Sequence, residues 1–166
     1  MKSRAAFLLP VCAAVFAGAV LHGSGQLPDR VATHFGGNGA PDGWMDKSSF
    51  VPVSMTGGLG MPLLMMGLLY LVRFLPAKFL NVPHAAYWRE PGNHRRACGI
   101  LFSFSLWAAS AFLLWQAALF YLIVTANRSV PPHLNTNHVI LLTVALLAFT
   151  AVWTMALMRH FLKTPE

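Results

Sequence analysis

Four long apolar runs divide this chain, and the short segments between them carry most of its polar side chains. The runs are 5–21, 51–72, 97–124 and 139–158, and none of them contains Asp, Glu, Lys or Arg. A membrane-spanning helix needs about 20 mostly apolar residues, and one charge at mid-span costs about 2.5–3.5 kcal/mol on insertion scales. The pattern therefore predicts an all-α, integral membrane four-helix protein with a structured extracytoplasmic loop between helices 1 and 2.

Two of the four runs have features that change the expected helix. The third is long enough to tilt or to extend past the headgroups. In the second, Gly57, Gly58, Gly60 and Pro62 predict a kinked or unwound stretch, because proline removes a helical hydrogen bond. We see no internal repeat, so residues 1–166 are taken as a single membrane domain.

The basic residues predict the orientation of the chain. Nine of the 12 Lys and Arg residues lie near the two termini or in the loop 73–96, and three lie in the other two polar segments. The nine are Lys2, Arg4, Arg73, Lys78, Arg89, Arg95, Arg96, Arg159 and Lys163; the three are Arg30, Lys47 and Arg128. By the positive-inside rule, both termini and the loop 73–96 are cytoplasmic, in a plasma or inner membrane. The loop 24–50 and the Asn127–Asn137 loop then face outward.

A secretory signal peptide is the alternative interpretation of the first run. Lys2 and Arg4 precede an apolar stretch that ends in small residues, as in a signal peptide. Cleavage would leave three spans and the same loop outside. No clean small-x-small site precedes a polar start, which favours a retained helix.

Composition agrees with a membrane location. The chain is 56% apolar and only 10% charged, whereas soluble domains carry roughly 25% charged residues. The net charge of +7 is spread over short tracts between the apolar runs. This distribution favours topology and anionic lipid over nucleic acid as the explanation. Cys12 and Cys98 have no spacing typical of a disulfide or a zinc site, and we expect buried free thiols.

The outer loop holds the densest group of chemically able side chains on its side of the membrane. Leu27-Pro28-Asp29 is typical of a helix start, so we expect one or two helical turns through Val31 and Phe35. The glycines at 36, 37 and 39 end that helix. The segment 40–43 then predicts a tight turn, with proline second and glycine fourth.

Two motifs resemble a known family. Leu27-Pro28-Asp29, Thr33-His34-Phe35 and Pro41-Asp42-Gly43-Trp44, followed by Lys47, resemble the outer loop of a bacterial membrane domain of unknown function. That domain forms the N-terminal part of SdpI-type immunity proteins. The segment 81–88, Asn-Val-Pro-His-Ala-Ala-Tyr-Trp, is similar to that family's Asn-Ile-Pro-Asn-x-x-Tyr-Trp stretch after its second span. His84 replaces the usual Asn, and the longer set of spans that follows the domain in the immunity proteins is missing.

The resemblance implies a small multi-span protein with an exposed outer loop. In the best-known relatives it further implies protection against a secreted peptide toxin and retention of a cytoplasmic repressor at the membrane. With the residues of the loop, it makes an extracytoplasmic peptide or small ligand the expected partner. The candidate ligand-binding residues are His34, Asn38, Asp42, Trp44 and Lys47.

Each candidate also has a structural interpretation. The imidazole of His34 could bind a ligand or metal, but it could equally hold the loop by bonding a carbonyl or an Asp. Asp42 and Lys47 are most simply a turn acid and a solvated base. The outer histidines are His22, His34, His133 and His138, and they lack ligand spacing, so we predict no metal and no cofactor.

The inner loop supplies a second group of candidates. Contacts with a cytoplasmic regulator or with anionic lipid are predicted for Tyr87, Trp88, Arg89, Arg95 and Arg96. Inside the third run, Gln116 is expected to bond a neighbouring helix or its own backbone. Without an embedded charge there is no proton relay to propose.

Three functions remain open at this point. The first is binding or sensing of an extracytoplasmic ligand in SdpI-like immunity or signalling. The second is an accessory subunit of a transporter or assembly, with Ala14 and Gly18, four residues apart, as a close helix contact. The third is an outer-surface enzyme using His34 and Asp42. No hydrolase, metalloprotease or paired-carboxylate motif is visible, which argues against an enzyme, and we assign no catalytic residue.

Overall fold

The computed structural model describes residues 4–163, with the backbone alone for Arg4. Lys2, which contributes to the orientation argument, lies outside the described residues. Four helices in this range are long and apolar enough to cross a membrane, as predicted. They are α1 (Arg4–Ser24), α2 (Lys47–Leu71), α4 (Pro91–Arg128) and α5 (Thr136–Leu162), each longer than its apolar run because polar turns extend it.

Helix α4 is the central element of the bundle, and α1, α2 and α5 all pack against it. At 38 residues it is about 57 Å long at 1.5 Å per residue, well beyond a hydrocarbon core of about 30 Å. A helix of this length must tilt or extend past the headgroups, the two outcomes that the length of its apolar run predicts. Pro91 occupies its first turn, where the missing N–H costs no helical bond.

The main apolar core lies between α1, α4 and the segment that follows α1. Phe16 and Val20 pack with Phe120 and Val124 of α4, and Val31 closes the cluster. Small residues permit this approach: a Cβ on Gly23 would lie 2.8 Å from Phe120, and a Cβ on Gly58 would lie 2.1 Å from Phe16.

The segment between α1 and α2 is a β-hairpin, so the predicted helical turns through Val31 and Phe35 are wrong. Strand β1 (Arg30–Phe35) pairs antiparallel with β2 (Pro41–Asp46). The predicted tight turn at 40–43 is also wrong, because the turn lies at Gly36–Gly39 and 41–43 belong to β2. An isolated two-turn helix is marginal, whereas pairing satisfies the backbone of both segments. The fold is thus mainly helical with one two-stranded sheet.

Helix α2 runs without a break through its glycines and Pro62, so the predicted unwinding does not occur. Proline at 62 leaves the carbonyl of Gly58, four residues earlier, without its helical donor. Gln116 of α4 replaces that donor, with Nε2 3.1 Å from the Gly58 oxygen. Of the two partners expected for Gln116, a neighbouring helix or its own backbone, the structure shows the neighbouring helix, and this bond explains why α2 tolerates the proline.

The connection between α2 and α4 packs on the end of α5. It contains two short 3-10 turns, Val72–Phe74 and Ala77–Phe79, and the short helix α3 (Ala85–Trp88). Trp88 is 1% exposed, and its Nε1 donates to the Phe161 carbonyl at 3.2 Å. Leu80, Ala97 and Leu157 complete this second core. The bundle thus has a hairpin end and, opposite it, the end formed by residues 72–90.

Candidate functional site

The hairpin β1–β2 lies at the end of the bundle where α4 finishes and α5 begins. Its base is held by a bond from the Lys47 N–H to the Asp29 carbonyl at 2.8 Å. In the register of the two strands, Arg30 is opposite Asp46, and this register is irregular on both sides of His34. Such irregularities bend a strand and re-aim its side chains, which makes the distal half of the hairpin a distinct surface.

Asn127 docks the hairpin on the last turn of α4. Its Oδ1 accepts from the Ala32 N–H at 2.8 Å, and its Nδ2 donates to the Ala32 carbonyl at 2.9 Å. Both Ala32 and Asn127 are buried, so these bonds satisfy groups that would otherwise be costly to bury. The amide side chain thus bonds the N–H and the carbonyl of Ala32, as the backbone of a third strand would.

The loop between α4 and α5 secures the turn of the hairpin. The Leu134 N–H donates to the Gly39 carbonyl at 2.9 Å, and Thr136 Oγ1 donates to the Gly37 carbonyl at 3.3 Å. Gly39 has φ +80°, and a Cβ there would lie 2.3 Å from the Leu134 oxygen. Only glycine meets both requirements. The two loops that the charge pattern predicts to face outward therefore share one end of the bundle.

His34 and Asp42 form a pair across the distal half of the hairpin, through Nδ1 and Oδ1. It is the only ion-pair contact found within residues 4–163. The two side chains are 76% and 54% exposed. Gly43 makes the approach possible, since a Cβ at that position would lie 2.8 Å from His34 Cβ. With Nδ1 held by a carboxylate, the ring has a defined orientation and its Nε2 edge is available to a ligand.

The other predicted ligand residues divide into two groups. Asn38 belongs with the pair: its Oδ1 accepts from the Ala40 N–H at 3.1 Å, and both it and Asp42 lie beside Gly36. Trp44, 43% exposed, lies two residues beyond Asp42 on β2. Lys47 is at the opposite, basal end of the hairpin, where its Nζ donates to the Leu27 carbonyl at 3.2 Å. The structure does not bring Lys47 to His34 and Asp42.

The remaining outer histidines do not gather around His34. Within residues 4–163, no group of three or more His, Cys, Asp or Glu side chains is arranged to hold a metal ion. His133 instead packs against Gly39, with its ring about 3 Å from the position of a Cβ there.

The predicted inner contact residues also divide. Trp88 is buried in the second core. The Arg89 guanidinium donates through Nε and Nη2 to the Leu80 carbonyl at 3.2 and 3.1 Å. These two side chains therefore stabilise the connection between α2 and α4. Tyr87 is half-buried, whereas Arg95 and Arg96 are exposed on the first turns of α4.

The sequence did not identify Asn127 as a contact residue; it appeared there only as the first residue of the predicted Asn127–Asn137 loop. The available signal was a single amide at the end of a long apolar run, where a buried polar group needs a partner. No local pattern indicates that the partner is Ala32, 95 residues earlier. Arg73 was likewise counted only for topology, although it lines a cavity described below.

Four apolar helices and a docked hairpin define a candidate multi-pass membrane protein with a small β-structured head. Residues 9–66 match the family described as Domain of unknown function (DUF1648). The match covers about a third of the chain, and it includes most of α1, the whole hairpin and most of α2. The motif at 81–88 lies outside it. No curated protein and no solved structure matches this chain.

Proposed function

We propose that this chain is a plasma- or inner-membrane protein whose hairpin binds an extracytoplasmic peptide or small ligand, in an SdpI-like immunity or signalling role. Both termini and the connection between α2 and α4 are cytoplasmic in this proposal. The charge distribution along the sequence supports this orientation, and the DUF1648 match includes the whole hairpin.

The exposed His34–Asp42 pair is the observation that carries the proposal. The hairpin around it is secured by Asn127 at β1 and by Leu134 at the turn. These bonds are buried or part-buried and already hold the hairpin. The His34–Asp42 pair is solvated, and a solvated ion pair adds little to stability, so holding the hairpin does not account for it. An oriented imidazole on the same hairpin as an exposed indole, Trp44, is instead suited to binding a peptide or a small polar ligand.

The orientation can be tested by labelling single cysteines in intact cells. In a Cys12→Ala, Cys98→Ala background, a cysteine is placed at Asn38, at Pro131 or at Asn81, which are all exposed. A membrane-impermeant maleimide should label the first two sites in intact cells and the third only after the cells are opened. Labelling of Asn81→Cys alone in intact cells would overturn the orientation.

The binding role can be tested with a deletion strain challenged with culture filtrates of its own and neighbouring strains. Complementation by the wild-type chain should restore growth, and His34→Ala, Asp42→Ala should not. His138→Ala, Asp29→Ala is the matched control, since it removes the same residue types from exposed positions near the same end. Full protection by the His34, Asp42 variant at equal membrane abundance would overturn the role of the pair.

An accessory-subunit role is the second candidate, and one feature of α1 favours it. Ala14 and Gly18 are both exposed, and a Cβ on Gly18 would meet nothing within 4 Å. This small-residue face is therefore unused among residues 4–163 and suits a close contact with another helix. Purification in mild detergent should recover a stoichiometric partner that Gly18→Leu releases; recovery of the chain alone would count against this candidate.

A further inference from the structure

A cavity of about 640 Å³ opens at the other end of the bundle, between the last turns of α2 and the first turns of α4. Its size is typical of a small-molecule site. Its lining combines the basic or titratable side chains of Arg73, His94 and Arg95 with the less polar residues Tyr70, Gly99 and Phe102. No Asp or Glu belongs to the lining, so the cavity is cationic.

The two arginines of the cavity have no acidic partner in the part of the chain that the structure describes. The ion-pair contact found there is His34–Asp42, at the hairpin end. Arg73 is oriented by an aromatic ring instead: its guanidinium carbon lies 4.4 Å from the Tyr70 ring centroid. The Tyr70 ring in turn packs edge-on against Phe102, at 5.6 Å between centroids. An arginine held in this way keeps its donors available for an anion.

The start of α4 contributes to the lining of the cavity. Pro91 and His94, from the first turn, are both part of the lining. The side chain of Glu90, which precedes that turn, makes no capping hydrogen bond; its carboxylate instead accepts from Asn93 Nδ2 at 3.2 Å. The first turn of a helix carries N–H groups without helical partners and a partial positive charge. Guanidinium donors beside a helix start are the combination that phosphate groups favour.

We propose that this cavity binds the phosphate group of an anionic phospholipid from the adjoining leaflet. Arg73 and Arg95 hold the phosphate, and the lipid chains leave over Gly99 and Phe102. Gly99 supports this exit, because it is exposed and a Cβ there would meet nothing within 4 Å. The apolar side of the cavity favours a lipid over a free phosphate ion, which would need polar groups on every side.

The test is native mass spectrometry of the full chain in detergent, with added palmitoyl-oleoyl phosphatidylglycerol, the matching phosphatidylcholine, or inorganic phosphate. Phosphatidylglycerol should be retained in preference to phosphatidylcholine. Arg73→Gln, Arg95→Gln should weaken its binding by roughly tenfold or more, since two charge-assisted contacts are lost. Arg159→Gln, Lys163→Gln removes the same charge outside the cavity and should leave binding within about twofold.

A second variant separates loss of the site from loss of the fold. The Cβ of Gly99→Leu meets nothing within 4 Å, and this variant should block phosphatidylglycerol while the thermal midpoint is maintained. Equal retention of phosphatidylglycerol by all variants would overturn the proposal. Capture of inorganic phosphate, with no preference between the two lipids, would assign the site to a free anion and overturn the lipid assignment.

Discussion

Asn127 hydrogen-bonds both backbone polar groups of Ala32, one of the two buried residues of β1. A third bond joins its Nδ2 to the Ile123 carbonyl in α4 at 2.9 Å. One amide therefore fastens the hairpin to the central helix. The orientation of the exposed His34–Asp42 pair relative to the bundle depends on this attachment.

Replacing Asn127 with leucine should release the hairpin from α4. The N–H and carbonyl of Ala32 would lose their partners in a buried environment, at about 1–3 kcal/mol for each unpaired group. Amide hydrogen exchange at residues 30–35 should accelerate, and the stability of the detergent-solubilised protein should fall by at least about 2 kcal/mol. Asn137→Leu, at an exposed position, is the control. Unchanged exchange at Ala32 would show that Asn127 does not hold the hairpin.

The bond between Gln116 and Gly58 should depend on the proline at position 62. Gln116→Leu leaves the Gly58 carbonyl without a donor and should cost about 1–2 kcal/mol, typical of bonds between membrane helices. Pro62→Ala restores a backbone N–H four residues after Gly58. In this background Gln116→Leu should cost less, and a double-mutant cycle measures the difference. Additive losses would mean that the glutamine does not compensate for the proline.

Gly39 should tolerate no side chain, whereas Gly37 should. Gly39→Ala places a Cβ 2.3 Å from the Leu134 oxygen at a positive φ, and it should lower stability by about 1–3 kcal/mol through strain. A Cβ on Gly37 meets nothing within 4 Å, so Gly37→Ala is the matched control. Thermal unfolding followed by tryptophan fluorescence compares the two. An equal midpoint for both variants would contradict the packing of the α4–α5 loop on the turn.

His84 should accept asparagine and reject a β-branched residue. It adopts φ 53° and ψ 42° immediately before α3, a left-handed conformation in which Asn and His are enriched and branched residues are strained. His84→Asn should leave the thermal midpoint unchanged. His84→Val should lower stability by about 1–2 kcal/mol. Indistinguishable midpoints for the two variants would rule out a conformational role for this position.

The prediction of a hairpin needs more than the local pattern of residues 28–43. Proline and aspartate at 28 and 29 do favour a helix start, but only packing of the hairpin on α1 and α4 decides that Val31 and Ala32 are both buried. Similarly, three glycines and one proline within residues 57–62 indicate a weak helix. The structure retains α2 because an amide 58 residues later supplies the missing donor. The deviations from the sequence predictions thus arise where a distant partner satisfies a backbone group.

The candidate site shows the same division. His34 and Asp42 stand out in the sequence as chemically able residues of one loop, and the hairpin brings them into contact. Lys47 follows Asp42 by only five residues. It nevertheless lies at the other end of the hairpin, because the strands are extended, at about 3.3 Å per residue. Arg73 and Arg95 come together although 22 residues separate them, because the connection between α2 and α4 folds back on itself.

The sequence by itself determined that four helices are suited to a bilayer, because transfer of side chains into lipid depends on local composition and length. The tertiary structure decided the hairpin, its attachment through Asn127, the position of Lys47 and the cationic cavity at the opposite end. Each of these depends on hydrogen bonds or packing between residues distant along the chain, and a local pattern contains no information about which distant group completes a bond.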